Sequence, residues 1–220
     1  MISIIVFSFL LQKASGQGTE YIKYGKRVVQ HKKFEWYFYR TEKFDIYHYI
    51  GGKQLAIYTA DRAAEHLKDI EKKLDYRASD RITLIIYNNY TDLKQSNIGF
   101  SPENDNPGGL TPIVDNMGYV YFNGNHFDFI KNLRAALSEV LINEMLYGGS
   151  IQERVQNSAL INIPDWQMKG LREYFAQPWS TEDEMFVKQG ILSGRFRNFI
   201  MLSEEDKALI GKAVWRFVAD

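Results

Sequence analysis

The stretch Leu133-Arg-Ala-Ala-Leu-Ser138-Glu139-Val-Leu-Ile142-Asn143-Glu144-Met-Leu-Tyr147-Gly148-Gly149 reads as the second half of one long helix, His126 to Tyr147. The glycine pair after it is a C-terminal stop signal. On a helix, residues four apart share a face, so Ser138 and Ile142 stand together with Glu139 beside them. About twenty residues later, Trp166-Gln-Met-Lys169-Gly170-Leu171-Arg172-Glu173-Tyr174 falls inside a second predicted helix, Asp165 to Phe175. Further helices are expected at Ile151–Leu160, Glu182–Leu192 and Glu204–Asp220.

Strand signals lie upstream of these helices. Phe34-Glu-Trp-Tyr-Phe-Tyr39 and Phe44-Asp-Ile-Tyr-His-Tyr49 are aromatic and β-branched, and the polar residues Arg40 to Lys43 separate them. They read as consecutive antiparallel strands. Leu55 to Leu74 has apolar spacing near three and four, an amphipathic helix. Arg81-Ile-Thr-Leu-Ile-Ile-Tyr87 reads as a buried strand, followed by a turn at Asn88–Asp92 and a short helical piece. Ser96 to Pro107 reads as a loop. Leu110–Val114 and Tyr119–Phe122 are expected as short strands joined by a hairpin turn at Asp115-Asn-Met-Gly118. Strands first and helices second predict an α+β fold: an N-terminal mixed sheet with a helix packed on it, then a mostly helical half.

Lys plus Arg and Asp plus Glu are 27 each, so there is no net charge to attract nucleic acid. The absence of cysteine excludes disulfides, thiolate zinc sites and thiol nucleophiles. Ile2 to Leu11 is an apolar run followed by Ala14-Ser15-Gly16, which predicts a signal peptide over residues 1–16 and export. The run is shorter than the ~20 residues a membrane span needs, and no later segment is long and apolar enough. The expected domain covers 17–220. Trp215-Arg-Phe-Val-Ala-Asp220 looks like mid-helix text, so the domain is expected to be cut short.

Catalytic signatures are sparse. The four histidines, His31, His48, His66 and His126, have no pair spaced for a shared helix face. His48 reads as packed in an aromatic strand and His66 as solvated. Glu139 with Glu144, and Glu182, Asp183 and Glu184, read as helix-surface or helix-dipole charges. There is no Gly-x-Ser-x-Gly and no phosphate-binding glycine loop.

Several stretches taken together carry a resemblance: Phe44-Asp-Ile-Tyr-His-Tyr49 with Gly51-Gly52, Ile82-Thr-Leu-Ile-Ile-Tyr-Asn88, Gly108-Gly109-Leu-Thr111, Asn143-Glu-Met-Leu-Tyr-Gly-Gly-Ser150 and Pro164-Asp-Trp-Gln-Met-Lys-Gly-Leu-Arg-Glu-Tyr174. In order and spacing they resemble the peptidase MA-like (gluzincin) domain of secreted TolB-like β-propeller proteins from Bacteroidetes-type bacteria. The resemblance covers most of the chain from about residue 25. It implies a gluzincin-like fold, a periplasmic or envelope location and a β-propeller beyond residue 220.

A gluzincin holds zinc with two histidines four apart on one helix and a Glu from a later one, while a Glu between the histidines activates water. Against that pattern the ligand positions read Ser138, Ile142 and Lys169, and Glu139 keeps the general-base position. Trp166, Gly170, Glu173 and Tyr174 match the second motif. Gly108, Gly109 and Thr111 match the sheet edge where an extended substrate pairs. The family's cofactor is zinc; with these departures the expectation is no metal and no cofactor. Lys169 is expected either to replace the metal's charge beside Glu139 or to pair with Glu173 one turn on. The expected function is a non-catalytic domain that binds a protein or peptide, an envelope component or its own propeller. The alternatives are a working metallopeptidase, or hydrolase of unorthodox site, and a structural cap on the propeller.

Overall fold

Alternating aromatic residues set the first hairpin. In the computed structural model, which describes residues 32–95, 116–148 and 163–219, β1 (Trp36–Arg40) pairs antiparallel with β2 (Phe44–Tyr49). The Thr41 N–H donates to the Phe44 carbonyl at 2.8 Å, and the Phe44 N–H to Thr41 Oγ1 at 3.0 Å, closing the turn. Arg40 and Asp45 form an ion pair across it at 2.6 Å. After α1 (Lys53–Leu74), β3 (Ile82–Tyr87) runs parallel beside β2; after α2 (Tyr90–Gln95), β4 (Met117–Tyr121) runs parallel beside β3. The sheet is mixed, in the order β1-β2-β3-β4.

Side chains alternate across a strand, so Phe44, Ile46, Ile82, Leu84, Ile86 and Val120 form one apolar face, each almost fully buried. Ala56, Ala63, Leu67 and Ile70 of α1 pack in the same core. So do Phe129, Leu133, Leu137, Val140 and Leu141 of α3 (His126–Tyr147). The Asn125 side chain caps α3 by accepting from the Phe127 N–H at 2.9 Å, which fixes its start where the sequence expects it.

The chain is therefore α+β, with a mixed four-stranded sheet and a helical half. One expectation needs correcting. Met117 and Gly118 belong to β4, which is parallel to β3, rather than to a hairpin turn. The glycine serves packing: a Cβ on Gly118 would lie 2.9 Å from Leu84 Cδ2 and 3.3 Å from Ala136 Cβ. The 1–16 leader, the Leu110–Val114 strand with Gly108, Gly109 and Thr111, and the 151–160 helix lie outside the described residues.

The helical half comprises α4 (Asp165–Ala176), α5 (Thr181–Leu192) and α6 (Glu204–Ala219). A capping box of Ser180 with Asp183 starts α5. The same Asp183 takes the Lys212 ammonium of α6 at 2.7 Å, and that lysine is 2% exposed. A second bond, from Lys212 Nζ to the Pro178 carbonyl at 3.3 Å, helps offset the cost of burying the charge.

Helices α4 and α6 cross backbone to backbone. A Cβ on Gly170 would come within 2.2 Å of Gly211 C, and one on Gly211 within 2.4 Å of the Trp166 carbonyl oxygen. The Trp215 indole N–H donates to the Gln167 carbonyl at 2.8 Å beside this crossing. In an exposed helix, Gly→Ala stabilises by roughly 1 kcal/mol. Gly170→Ala is expected to destabilise instead, by about 1–3 kcal/mol from overpacking, read as a lower urea midpoint.

Candidate functional site at the joint between α3 and α4

The helix period places Lys131, Arg134, Ser138, Glu139 and Ile142 along one side of α3. Three of these reach α4. Lys131 Nζ lies 3.4 Å from Glu173 Oε2. Arg134 Nε donates to the Phe175 carbonyl at 2.9 Å. Glu139 Oε2 accepts from Arg172 Nη1 at 3.5 Å. The stripe with the expected ligand positions is thus a helix–helix joint.

Each expected site residue among the described residues has a definite place. Ser138 is fully buried, and its hydroxyl donates to the Ala135 carbonyl of its own helix at 2.8 Å. Ile142 is 1% exposed and part of the apolar core. Glu139 has a half-exposed side chain. The Lys169 ammonium meets Glu204 of α6 at 2.6 Å, where Lys207 also pairs with Glu204 at 2.9 Å. The Lys169 bond, followed by that of Lys207, pulls the Glu204 carboxyl down to about 2. Neither expected partner of Lys169 is used: Glu139 pairs with Arg172 and Glu173 with Lys131. Trp166 packs edge-on against Phe199 with centroids 5.0 Å apart, and Tyr174 packs against Phe175 and the core. Gly170 serves the α6 crossing.

These positions do not fit zinc. Ser138 spends its hydroxyl on a main-chain carbonyl inside the core. Ile142 offers only hydrocarbon. Lys169 brings a cation already on a carboxylate. Among the described residues, no group of three or more His, Cys, Asp or Glu side chains could hold a metal ion.

Two polar centres differ from the sequence expectations, and a third, around Tyr49, carried none. Glu144 is 4% exposed rather than on a helix surface. Its Oε1 accepts from the Ser79 N–H at 2.9 Å and from the Ser79 hydroxyl, while Oε2 is buried with no hydrogen-bond partner among the described residues. His66 is half-buried rather than solvated, with Nδ1 3.1 Å from Arg134 Nη1. Tyr49, at the end of β2, donates to Asp92 Oδ2 at 2.5 Å and accepts from the Asn88 N–H at 2.8 Å; Lys32 and Asn89 also bond Asp92. Burial first, then the Asp92 bond, pushes the Tyr49 phenol up.

Arg134 is the residue sequence reasoning missed. Its third bond goes to Asp69 Oδ2 at 2.8 Å. A signal existed: Arg134 is the single charge in Ile130-Lys-Asn-Leu-Arg-Ala-Ala-Leu-Ser138 after Lys131, set between core residues Leu133 and Leu137.

Compared with protein-family models, curated proteins and solved structures, the chain matches none.

The contacts of Arg134 with His66 and Asp69 make stability depend on pH. An arginine only donates, so His66 Nδ1 must accept and the imidazole must be neutral. Burial first, then the Arg134 charge, holds the His66 pKa below 6.5. The unfolded state therefore takes up the proton first, and stability falls as pH drops through 6.5 towards the folded value. The Asp69 carboxyl, which burial alone would raise, is lowered by the bonds from Arg134 and Lys73, so its contribution is lost only below 3.8. The urea midpoint is expected to fall between about pH 7.5 and 5.5 in the wild type and to stay flatter in His66→Gln, whose amide oxygen still accepts without titrating there.

Proposed function

We propose that this chain is a non-catalytic, exported domain of gluzincin-like ancestry that binds a protein or peptide segment within a cell-envelope protein. The reading rests on the resemblance in the sequence and on one structural observation: the stripe of α3 where a peptidase would carry its ligands is given over to packing and ion pairs with α4. Glu139, which keeps the general-base position of the first motif, stands on the solvent side, 3.5 Å from the Arg172 guanidinium. Binding is supported by β1, where four consecutive aromatic residues are all exposed.

One observation favours a second reading, a cap on further structure. Ile191 and Leu192 of α5, Ile200 and Met201 of the following turn, and Phe217 and Val218 of α6 are largely exposed. Apolar surface of this extent marks contact regions. That reading predicts poor solubility of the chain by itself, with Leu192→Lys and Phe217→Lys restoring it.

A general peptidase assay on the full chain with added zinc tests the leading reading. No hydrolysis is expected, and Glu139→Gln should leave the result unchanged. Zinc-dependent cleavage that disappears in Glu139→Gln would restore the hydrolase and overturn the proposal.

A further inference from the structure

Hydrogen bonding alternates along β1. In an antiparallel pair, residues that exchange main-chain bonds alternate with residues that do not. The bond from Thr41 N–H to the Phe44 carbonyl fixes the phase. Tyr39 and Tyr37 then bond to Ile46 and His48, their partners in the register. The N–H and C=O groups of Trp36, Phe38 and Arg40 point away from β2, and among the described residues no strand pairs with that outer edge.

Sheet edges of this kind are commonly guarded by charge, proline or a bulge, because they template pairing with another chain. Here the strand reads Trp36-Tyr-Phe-Tyr-Arg40 and has no such guard at its centre. Its single charge, Arg40, sits at one end and is neutralised by Asp45.

The order of side chains is also nearly symmetric about Phe38. Turned antiparallel on itself, the strand sets Phe38 opposite Phe38, Tyr37 opposite Tyr39, and Trp36 opposite Arg40. Residues 36, 38 and 40 are those with free main-chain groups, so in this register every outward N–H meets an outward C=O. Arg40 already lies 5.2 Å from the Phe38 ring centroid within the chain. Facing a second Trp36, its guanidinium would gain another aromatic partner. No like charges oppose one another along the strand.

We infer that β1 is a self-complementary edge, through which two copies of this chain join antiparallel about Phe38 into one eight-stranded sheet. The interface is short, below the area of permanent dimers, so the association is weak and concentration-dependent. The inference is separable from the function above: a monomer leaves the non-catalytic reading standing, and bound zinc leaves the pairing standing.

Sedimentation equilibrium of the full chain, combined with residue-resolved amide exchange at low and high protein concentration, tests it. A monomer–dimer equilibrium is expected, with the amides of Trp36, Phe38 and Arg40 slowed only at high concentration. Those of Tyr37 and Tyr39 should be slow throughout. Phe38→Lys should return the chain to monomer, whereas Phe186→Lys, an exposed change on α5, should not. Should Phe38→Lys disturb the strand, the exchange pattern of the unmodified chain still decides. A chain monomeric at every concentration overturns the inference and leaves the edge to a segment of another protein. A dimer that survives Phe38→Lys, or whose Trp36, Phe38 and Arg40 amides still exchange freely, overturns it as well.

Discussion

The Arg134 guanidinium holds three helices together, and its chemistry explains why. Sited on α3, it meets the carboxylate of Asp69 and the ring nitrogen of His66 on α1, and the Phe175 carbonyl near the end of α4. A charge this far from solvent is costly unless its donors are used. The bonds to three acceptors offset that cost, and they fix the position of α4 relative to the sheet layer. Helix α6 then packs on α4 through the Gly170–Gly211 crossing, and α5 is tied to α6 through Asp183 and Lys212. The helical half is thus placed by Arg134, with Lys131 and Glu139 beside it on α3, by the apolar contacts of Leu171 and Phe175, and by one pair of glycines.

The same arrangement bears on the candidate site. Helix α3 packs against the sheet, α1 and α4, and Ser138 and Ile142 lie on its buried side. A metal centre there would need a polar cavity able to hold the ion and a water. Ser138 and Ile142 supply the reverse, a small hydroxyl turned back on its helix and a hydrocarbon in the core. Lys169 contributes to the α4–α6 contact. The residues at the positions where the resemblance would place ligands are structural here: Ser138 and Ile142 lie in the core and Lys169 joins α4 to α6.

Much of the framework was legible in the sequence because its signals are local. The bounds of α3 follow from apolar periodicity, Asn125 and Gly148, and the β1–β2 hairpin follows from its aromatic runs. What was hidden depends on partners far apart in the chain. His66 looks solvated beside Glu65, but its ring meets Arg134, 68 residues away. Glu144 looks like a surface charge until Ser79, 65 residues earlier, is found on it. Gly118 reads as a turn residue because nothing nearby reveals that Leu84 and Ala136 close on it. The two alternatives for Lys169, Glu139 from motif positions and Glu173 one turn on, both gave way because α6 brings Glu204 to Lys169, α4 brings Arg172 to Glu139 and α3 brings Lys131 to Glu173.

The α3–α4 joint, where the proposed gluzincin-like ancestry would place a metal, is held by packing and ion pairs instead. Metal analysis of the full chain, purified without chelator and dialysed, tests it most directly, since a structural or catalytic zinc site retains its ion under those conditions. The account predicts no stoichiometric zinc. One zinc per chain, retained by the wild type through dialysis, would contradict it.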